Sequence, residues 1–152
     1  MKIITKQMSI ILVDDDQEDR ELFSEAISEI VETVNLKTFN DGSEIIEYFK
    51  VKDNRANLPS ILFLDINMPL VNGLEALQIL RTELKMNDLS IAMYSTSSLE
   101  VNIEEALILG ANVYITKPTS YEKLKHVLYK VLQANLQFDK TNLRLDTFVL
   151  SV

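Results

Sequence analysis

Five short segments, four of them apolar runs and one, the second, alternating less clearly, are each followed by a stretch of helical periodicity or a polar turn, and they constrain this chain more than any other feature. The segments are Met8 to Val13, Asn35 to Phe39, Ile61 to Leu64, Ile91 to Tyr94 and Val113 to Ile115. They are too short for helices and read as strands. After the first, Leu22, Phe23, Ala26, Ile27, Ile30 and Val31 share one face of a helix from Gln17 to about Glu32. After the second, Asn40-Asp41-Gly42 marks a turn and Ser43 can cap a helix that carries Ile45, Ile46 and Phe49 inward. Val51 to Ser60 is polar, contains Pro59, and is expected to be an exposed loop.

Past Pro69 and Gly73, Leu74, Leu77, Leu80 and Leu84 mark a further helix. Leu99 to Leu109 is another, capped by Ser97 or Ser98 and closed by Gly110, a good residue just beyond a helix end. Ser120 caps a last helix lined by Leu124, Val127, Leu128, Val131 and Leu132. Strands that alternate with helices in this way predict an α/β, doubly wound five-stranded parallel sheet with helices on both faces. Such open sheets bind ligands outside the carboxyl ends of their strands. Asp14-Asp15-Asp16, Asp65, Ser95 and Lys117-Pro118 all stand at those ends, after strands one, three, four and five. Residues scattered over the whole chain are thereby expected in one crevice.

Composition removes several classes of function. The chain has 152 residues, a size suited to one domain with a proper core, and no run near the roughly 20 apolar residues of a membrane span. Its start, Met1 to Gln7, lacks the apolar core of a signal peptide. Zero Cys excludes disulfides, thiolate metal sites and a Cys nucleophile. A net charge of −8 argues against nucleic acid as a partner. The expectation is a cytoplasmic protein with neither membrane nor nucleic-acid partners.

Carboxylates gathered in one crevice repel one another, and desolvation adds to the cost of keeping them charged. A hard divalent cation relieves both. Mg²⁺ takes oxygen ligands and commonly binds through one or two carboxylates plus a phosphate. Asp15 and Asp65 can supply those carboxylates, with Asp14 acting through water. A carboxylate is also a nucleophile toward phosphorus. Lys117 is a compact cation suited to a phosphoryl oxygen, and Ser95 offers a hydroxyl to another. Together these are the parts of a reversible phosphoacceptor.

At this point the chain resembles the CheY-like receiver domains of two-component response regulators. The matching segments are Ile11 to Asp16, Phe63 to Gly73 with Asn67-Met68-Pro69 inside it, Ser95-Thr96, Gly110-Ala111 and Tyr114 to Pro118. Ser95 stands 30 residues after Asp65 and Lys117 stands 52 after it, as in that family. The resemblance covers residues 8–134, the expected receiver domain. It implies a flavodoxin-like fold with the strand order 2-1-3-4-5, which is the order known for CheY itself. It further implies that Asp65 accepts a phosphoryl group from a sensor histidine kinase or a histidine phosphotransfer protein. Mg²⁺ would be held by Asp15, Asp65 and the backbone carbonyl of Asn67, with Asp14 assisting through water. Ser95 and Lys117 would contact the phosphoryl group, and Ser95 and Tyr114 would form a switch that alters a protein-interaction surface for an output protein or serves a relay. Such a protein is not an enzyme, since it catalyses only its own phosphorylation and dephosphorylation, and it is expected as a monomer or weak dimer.

Other readings of the same residues stand beside this one. Alone, Asp14-Asp15-Asp16 is a solvated acidic run or a helix N-cap cluster, with Asp16 as the cap, and Tyr114 is a core aromatic. His126, the only His, falls on the polar side of the last helix. A haloacid-dehalogenase-like phosphatase also uses an Asp nucleophile with Mg²⁺, but wants a second Asp two residues later, where this chain has Asn67. A flavodoxin-like cofactor binder is disfavoured by the acidic loop after strand one. Thr96 replaces the small residue often found in the family, and is expected to crowd the site and slow phosphoryl loss. Residues 135–152 form an extension too short for a DNA-binding output domain. It carries Leu136, Phe138, Leu143, Leu145, Phe148, Val149 and Leu150, which suits packing on the domain or on a partner as well as it suits a disordered tail.

Overall fold

The computed structural model describes residues 3–137 and 149–150. Strands β1 (Met8–Val13), β2 (Val34–Phe39), β3 (Ile61–Leu64), β4 (Ile91–Ser95) and β5 (Val113–Thr116) alternate with helices. The helices are α1 (Gln17–Ile30), α2 (Gly42–Lys50), α3 (Lys52–Ala56), α4 (Gly73–Gln78), α5 (Glu100–Ile108) and α6 (Tyr121–Gln137). All neighbouring strands pair in parallel, in the expected order 2-1-3-4-5. A sixth strand, β6 (Val149–Leu150), adds to the outer edge of β5. The remainder of the extension past Gln137 lies outside the described residues.

The inner strands are apolar throughout because both faces of the sheet are covered. Ile10, Leu12, Phe63, Ala92, Val113 and Ile115 face α1 and α6, where they meet Phe23, Ile27, Leu124 and Leu128. Ile11, Val13, Leu62, Leu64, Met93 and Tyr114 face the other way, against Ile45, Phe49, Leu77, Leu80 and Ala106. Phe23 meets Phe63 edge-on at 4.9 Å between ring centroids and Tyr94 at 5.7 Å. Full burial of a side chain like Phe63 contributes about 2–3 kcal/mol. Register then decides where the polar residues emerge. Val13 pairs with Leu64, Leu64 with Met93, and Ser95 with Thr116, so the residues that follow β1, β3 and β5 leave the sheet at one end.

Local starts and stops differ from expectation in three places. The cap of α2 is Asp41 instead of Ser43: its carboxylate accepts from the N–H groups of Ser43 (2.8 Å) and Glu44 (3.1 Å). Gly42 can then open the helix because it lies against the chain at Val71, where a Cβ would stand 2.3 Å from the carbonyl oxygen. Neither Ser97 nor Ser98 caps α5; the cap position is Leu99, without a side-chain bond. Ser97 Oγ accepts instead from Leu99 N–H (3.3 Å) and from the Asn102 amide (2.7 Å). The segment Val51 to Ser60 holds the short polar helix α3. Arg55 from it donates to the carbonyls of Phe49 and Lys50, both at 2.8 Å, and Asn54 to that of Tyr48. These bonds satisfy the open C-terminal carbonyls of α2.

Leu22, expected on the apolar face of α1, is exposed and lies outside the buried set of Phe23, Ala26, Ile27 and Ile30; other local readings agree with the structure. Asp16 caps α1, Ser120 Oγ accepts from Lys123 N–H, and Gly110 follows α5 at φ +99°. His126 is exposed. The helix from Gly73 continues through Ile79–Glu83 with one widened, π-type turn, closed by the bond from Leu84 N–H to the Ile79 carbonyl at 3.0 Å. Among the described residues, no helix is long and apolar enough to cross a membrane.

Candidate functional site

The carboxyl end of the sheet gathers Asp14, Asp15, Asp65 and Lys117. Asp14 follows β1 and is fully buried; Asp65 follows β3 and is 5% exposed; Asp15 is exposed. Each of the three offers a carboxylate oxygen, and these oxygens lie within 4.8 Å of one another. Lys117, one residue beyond β5, reaches back across the strand ends. Its Nζ donates to Asp14 Oδ2 and Asp19 Oδ2, each at 2.8 Å, and to Asp65 Oδ2 at 3.3 Å. It also lies 5.1 Å from the centre of the Tyr94 ring, close enough for a cation–π contact.

Charge here is out of balance. One ammonium serves three bonded carboxylates, and Asp15 adds a fourth. Burial pushes the Asp65 carboxyl up to about 6, the charge of Asp14 pushes the same way, and Lys117 opposes both. Burial raises Asp14 also, against the bonds it accepts from Lys117 and from Asp16 N–H. For Lys117 burial alone favours the neutral amine, but the bonds to Asp14 and Asp19 and the charge of Asp65 more than reverse this and hold the ammonium protonated. The cluster is therefore short of positive charge. An all-oxygen donor set with excess negative charge fits a hard divalent cation such as Mg²⁺.

The loops around the carboxylates are built to hold still. Asn67 N–H points at Asp65 Oδ1 across 3.4 Å, and Gly73 N–H donates to the Ile66 carbonyl at 2.9 Å. Gly73 packs so closely that a Cβ would stand 2.0 Å from the Asp65 carbonyl oxygen. Asn72 and Glu75 form a reciprocal capping box that starts α4 at the loop's end. An open cleft of about 420 Å³ lies against this loop, lined by Asp15, Ile66, Asn67, Met68, Pro69 and Asn72. Ser95 ends β4 with its side chain buried, and its Oγ accepts from Ser97 N–H at 3.1 Å. The Tyr114 ring is buried as well, and its hydroxyl donates to the Ser97 carbonyl at 2.8 Å.

Asp14, Asp15, Asp65 and Lys117 thus meet as the sequence suggested, with Asn67 beside Asp65. Ser95 and Tyr114 meet each other's loop, through Ser97. Two further residues, Asp19 and Tyr94, complete the surroundings of Lys117 and were not singled out from the sequence. Asp19 looks there like an ordinary acid in the first turn of a helix, where the helix dipole favours one. Its one signal is position: it falls in the first turn after Asp14-Asp15-Asp16, and so at the strand-end face.

Comparison with known proteins agrees with this geometry. The family description "response regulator receiver domain" matches residues 10–129. Chemotaxis protein CheY1 of Helicobacter pylori is 27% identical over 128 residues, which span 84% of this chain and 99% of that one. The probable methanogenesis regulatory protein FilR2 of Methanothrix harundinacea is 23% identical over 133 residues, 87% of this chain and 86% of the relative. Among solved structures, the phosphorylated cyanobacterial phytochrome response regulator RcpA is similar with a TM-score of 0.76 and 27% identity, covering 87% of this chain and 96% of its own. Strand order, the acidic crevice and a family match that runs from β1 into α6 lead to one conclusion: this chain belongs to the response regulator receiver domains.

Proposed function

We propose that this receiver accepts a phosphoryl group on Asp65 from a phosphohistidine of a sensor histidine kinase or histidine phosphotransfer protein, in a Mg²⁺-dependent step. The observation that carries the reading is Asp65 itself: a nearly buried carboxylate at a strand end, 3.3 Å from Lys117 and with carboxylate oxygens of Asp14 and Asp15 within 4.8 Å. A carboxylate oxygen of Asp65 attacks phosphorus, the P–N bond to the donor imidazole breaks, and that nitrogen leaves with the bond's electrons and takes up a proton. The product is an acyl phosphate. Proximity and charge stabilisation do most of the work in such a transfer.

Asp15, Asp65 and the Asn67 carbonyl would hold Mg²⁺, with Asp14 joined through water. The ion, when bound, neutralises charge on the phosphoryl oxygens. Lys117 is placed to pair with a phosphoryl oxygen once its bond to Asp65 is given up, and Asp14 and Asp19 keep it positioned meanwhile. Ser95 would donate its hydroxyl to another oxygen. Receiver chemistry of this kind acts on the protein's own carboxylate and turns over no outside substrate; Asn67, standing two residues after Asp65, has no acid proton to give a leaving group. The output would be a changed protein-interaction surface or onward relay of the phosphoryl group.

The test is intact-protein mass after incubation with acetyl phosphate, with and without Mg²⁺, beside an Asp65→Asn control. A single Mg²⁺-dependent phosphoryl adduct, absent in the control, is expected. An adduct that persists in Asp65→Asn, or none with either acetyl phosphate or a phosphorylated kinase, would overturn the assignment.

A further inference from the structure

In a sheet of order 2-1-3-4-5, β5 is an edge strand whose outward N–H and C=O groups are open to any extended chain. Here that edge is taken. Val149 lies opposite Tyr114 and Leu150 opposite Ile115, in parallel register. These residues belong to the stretch whose apolar side chains set it apart from an ordinary linker in the sequence. Strand addition to an open sheet edge is a general mode of peptide recognition, and main-chain bonds supply its affinity. A strand of two residues makes few such bonds, so it can come and go.

Tyr114 joins this edge to the site. Its backbone is in register with Val149, while its side chain runs inward, buried, to bond the Ser97 carbonyl at 2.8 Å. Ser97 N–H in turn donates to the Oγ of Ser95 at 3.1 Å. One residue therefore stands between the loop that begins at Ser95 and the strand that closes the sheet.

We propose that Val149–Leu150 is a resident strand ligand of the β5 edge, and that the Ser95, Ser97 and Tyr114 contacts tie its hold to the state of Asp65. The second half rests on Asp65 being the phosphoacceptor. When Ser95 donates to a phosphoryl oxygen, its own oxygen becomes a stronger acceptor for Ser97 N–H, because linked hydrogen bonds polarise one another. Ser97 is then held in place, its carbonyl keeps the Tyr114 hydroxyl, and β5 stays in the register that β6 pairs with. Phosphorylation tightens the added strand.

Hydrogen exchange read by mass spectrometry tests both halves on the full chain. The proteins are the wild type and a Val149→Pro/Leu150→Pro variant, whose prolines remove the strand's N–H donors. Each is measured before and after acetyl phosphate with Mg²⁺, and intact mass reports the adduct on the same samples. Wild-type Val149–Leu150 is expected to exchange more slowly than an unstructured peptide. In the variant the outward amides of β5 should exchange at least tenfold faster, with β4 unchanged. Adduct-bearing wild type should show severalfold slower exchange at Val149–Leu150. Unprotected Val149–Leu150 in the wild type, or unchanged β5 protection in the variant, overturns the resident strand. Should the variant lose β4 protection too, the wild-type rates at Val149–Leu150 decide. An adduct with unaltered exchange at β6 overturns the tie alone, whereas absence of any adduct counts against the phosphoacceptor reading and leaves the resident strand to be judged by the other rates.

Discussion

Replacing Lys117 with methionine keeps most of the side chain's volume and removes the one ammonium that, among the described residues, bonds Asp14, Asp19 and Asp65. The three carboxylates do not suffer equally. Asp19 has 34% of its side chain exposed and can turn to water, so its share is small. Asp65, already pushed up to about 6, escapes by taking a proton at modest acidity. The Asp14 carboxylate is fully buried and, among the described residues, keeps only the bond from Asp16 N–H. Breaking one partner of a buried pair costs about 3–5 kcal/mol, and relief through Asp65 places this case near the lower end, about 3 kcal/mol at pH 7.5 in EDTA. With a urea dependence of about 2 kcal/mol per molar, the unfolding midpoint should fall by about 1.5 M. The pH dependence has a definite sign. A carboxyl whose pKa is higher folded than unfolded binds more protons in the native state, so stability rises as pH falls from about 6 toward 4. Lys117 is what opposes the rise at Asp65, so in Lys117→Met this carboxyl takes its proton at higher pH than in the wild type; the variant should therefore recover part of its loss between pH 7.5 and pH 5, and added Mg²⁺ should restore stability at pH 7.5. A loss below about 1 kcal/mol, or one of equal size at pH 5 and pH 7.5, would refute the account of Lys117 as the counter-charge to a strained acidic cluster.

Calorimetric Mg²⁺ affinity should be flat above pH 7 and fall by up to about tenfold per unit below about 6, as Asp65 takes up the proton that the ion must displace; constant affinity down to pH 5 would exclude Asp65 as a ligand. Gly73→Ala should cost at least about 2–3 kcal/mol in chemical denaturation, because its Cβ meets backbone atoms of Asp65 and Ile66. Gly110→Ala, where the nearest atom is a side chain at 3.4 Å, should cost only the left-handed backbone penalty of about 1–2 kcal/mol, and the reverse ranking would contradict the packing described at the site loop. Thr96→Ala is expected to shorten the life of the phosphoryl adduct a few-fold, as followed by intact mass over time; an adduct as long-lived as the parent's would show that Thr96 does not restrict water.

The sheet and most of the site were legible because each rests on strong one-dimensional signals. Strands such as Ile61 to Leu64 are apolar throughout, and a polar residue directly after such a run must emerge at the strand's end. Asp65, Asp14 and Lys117 were placed by that rule alone. What escaped lacks such a signal. Helix α3 buries no residue, so no periodicity marks it, and it exists through bonds from Arg55 and Asn54 to carbonyls of the preceding helix. Asp41 outcompetes Ser43 as a cap because of a close approach to Val71, a contact between segments far apart in sequence. Asp19 serves Lys117 from 98 residues away, and only the fold reveals that a helix-start acid faces a strand-end lysine. The strand β6 has apolar residues but no partner visible in the sequence.

The opposite end of the sheet is constructed on another plan. There a single guanidinium, Arg81, reaches out of the widened helical turn to the carbonyls of Gly110 (3.0 Å), Leu89 (2.8 Å) and Met86, and to Asn112 Oδ1 (3.0 Å). The same Asn112 oxygen accepts from Ile91 N–H at 2.8 Å, so the knot fastens the first residue of β4 to the approach of β5. The two strands are thus fastened at their roots by side chains on top of the backbone ladder, while at their tips the ladder's last contacts, Ser95 beside Thr116 and Lys117 N–H to the Ser95 carbonyl at 2.8 Å, are joined by the Lys117 charge cluster and the Tyr114 hydroxyl. If Asp65 takes up a phosphoryl group, the added charge would bear on the Ser95 end of this strand pair, while the Ile91 end stays pinned by Arg81 and Asn112.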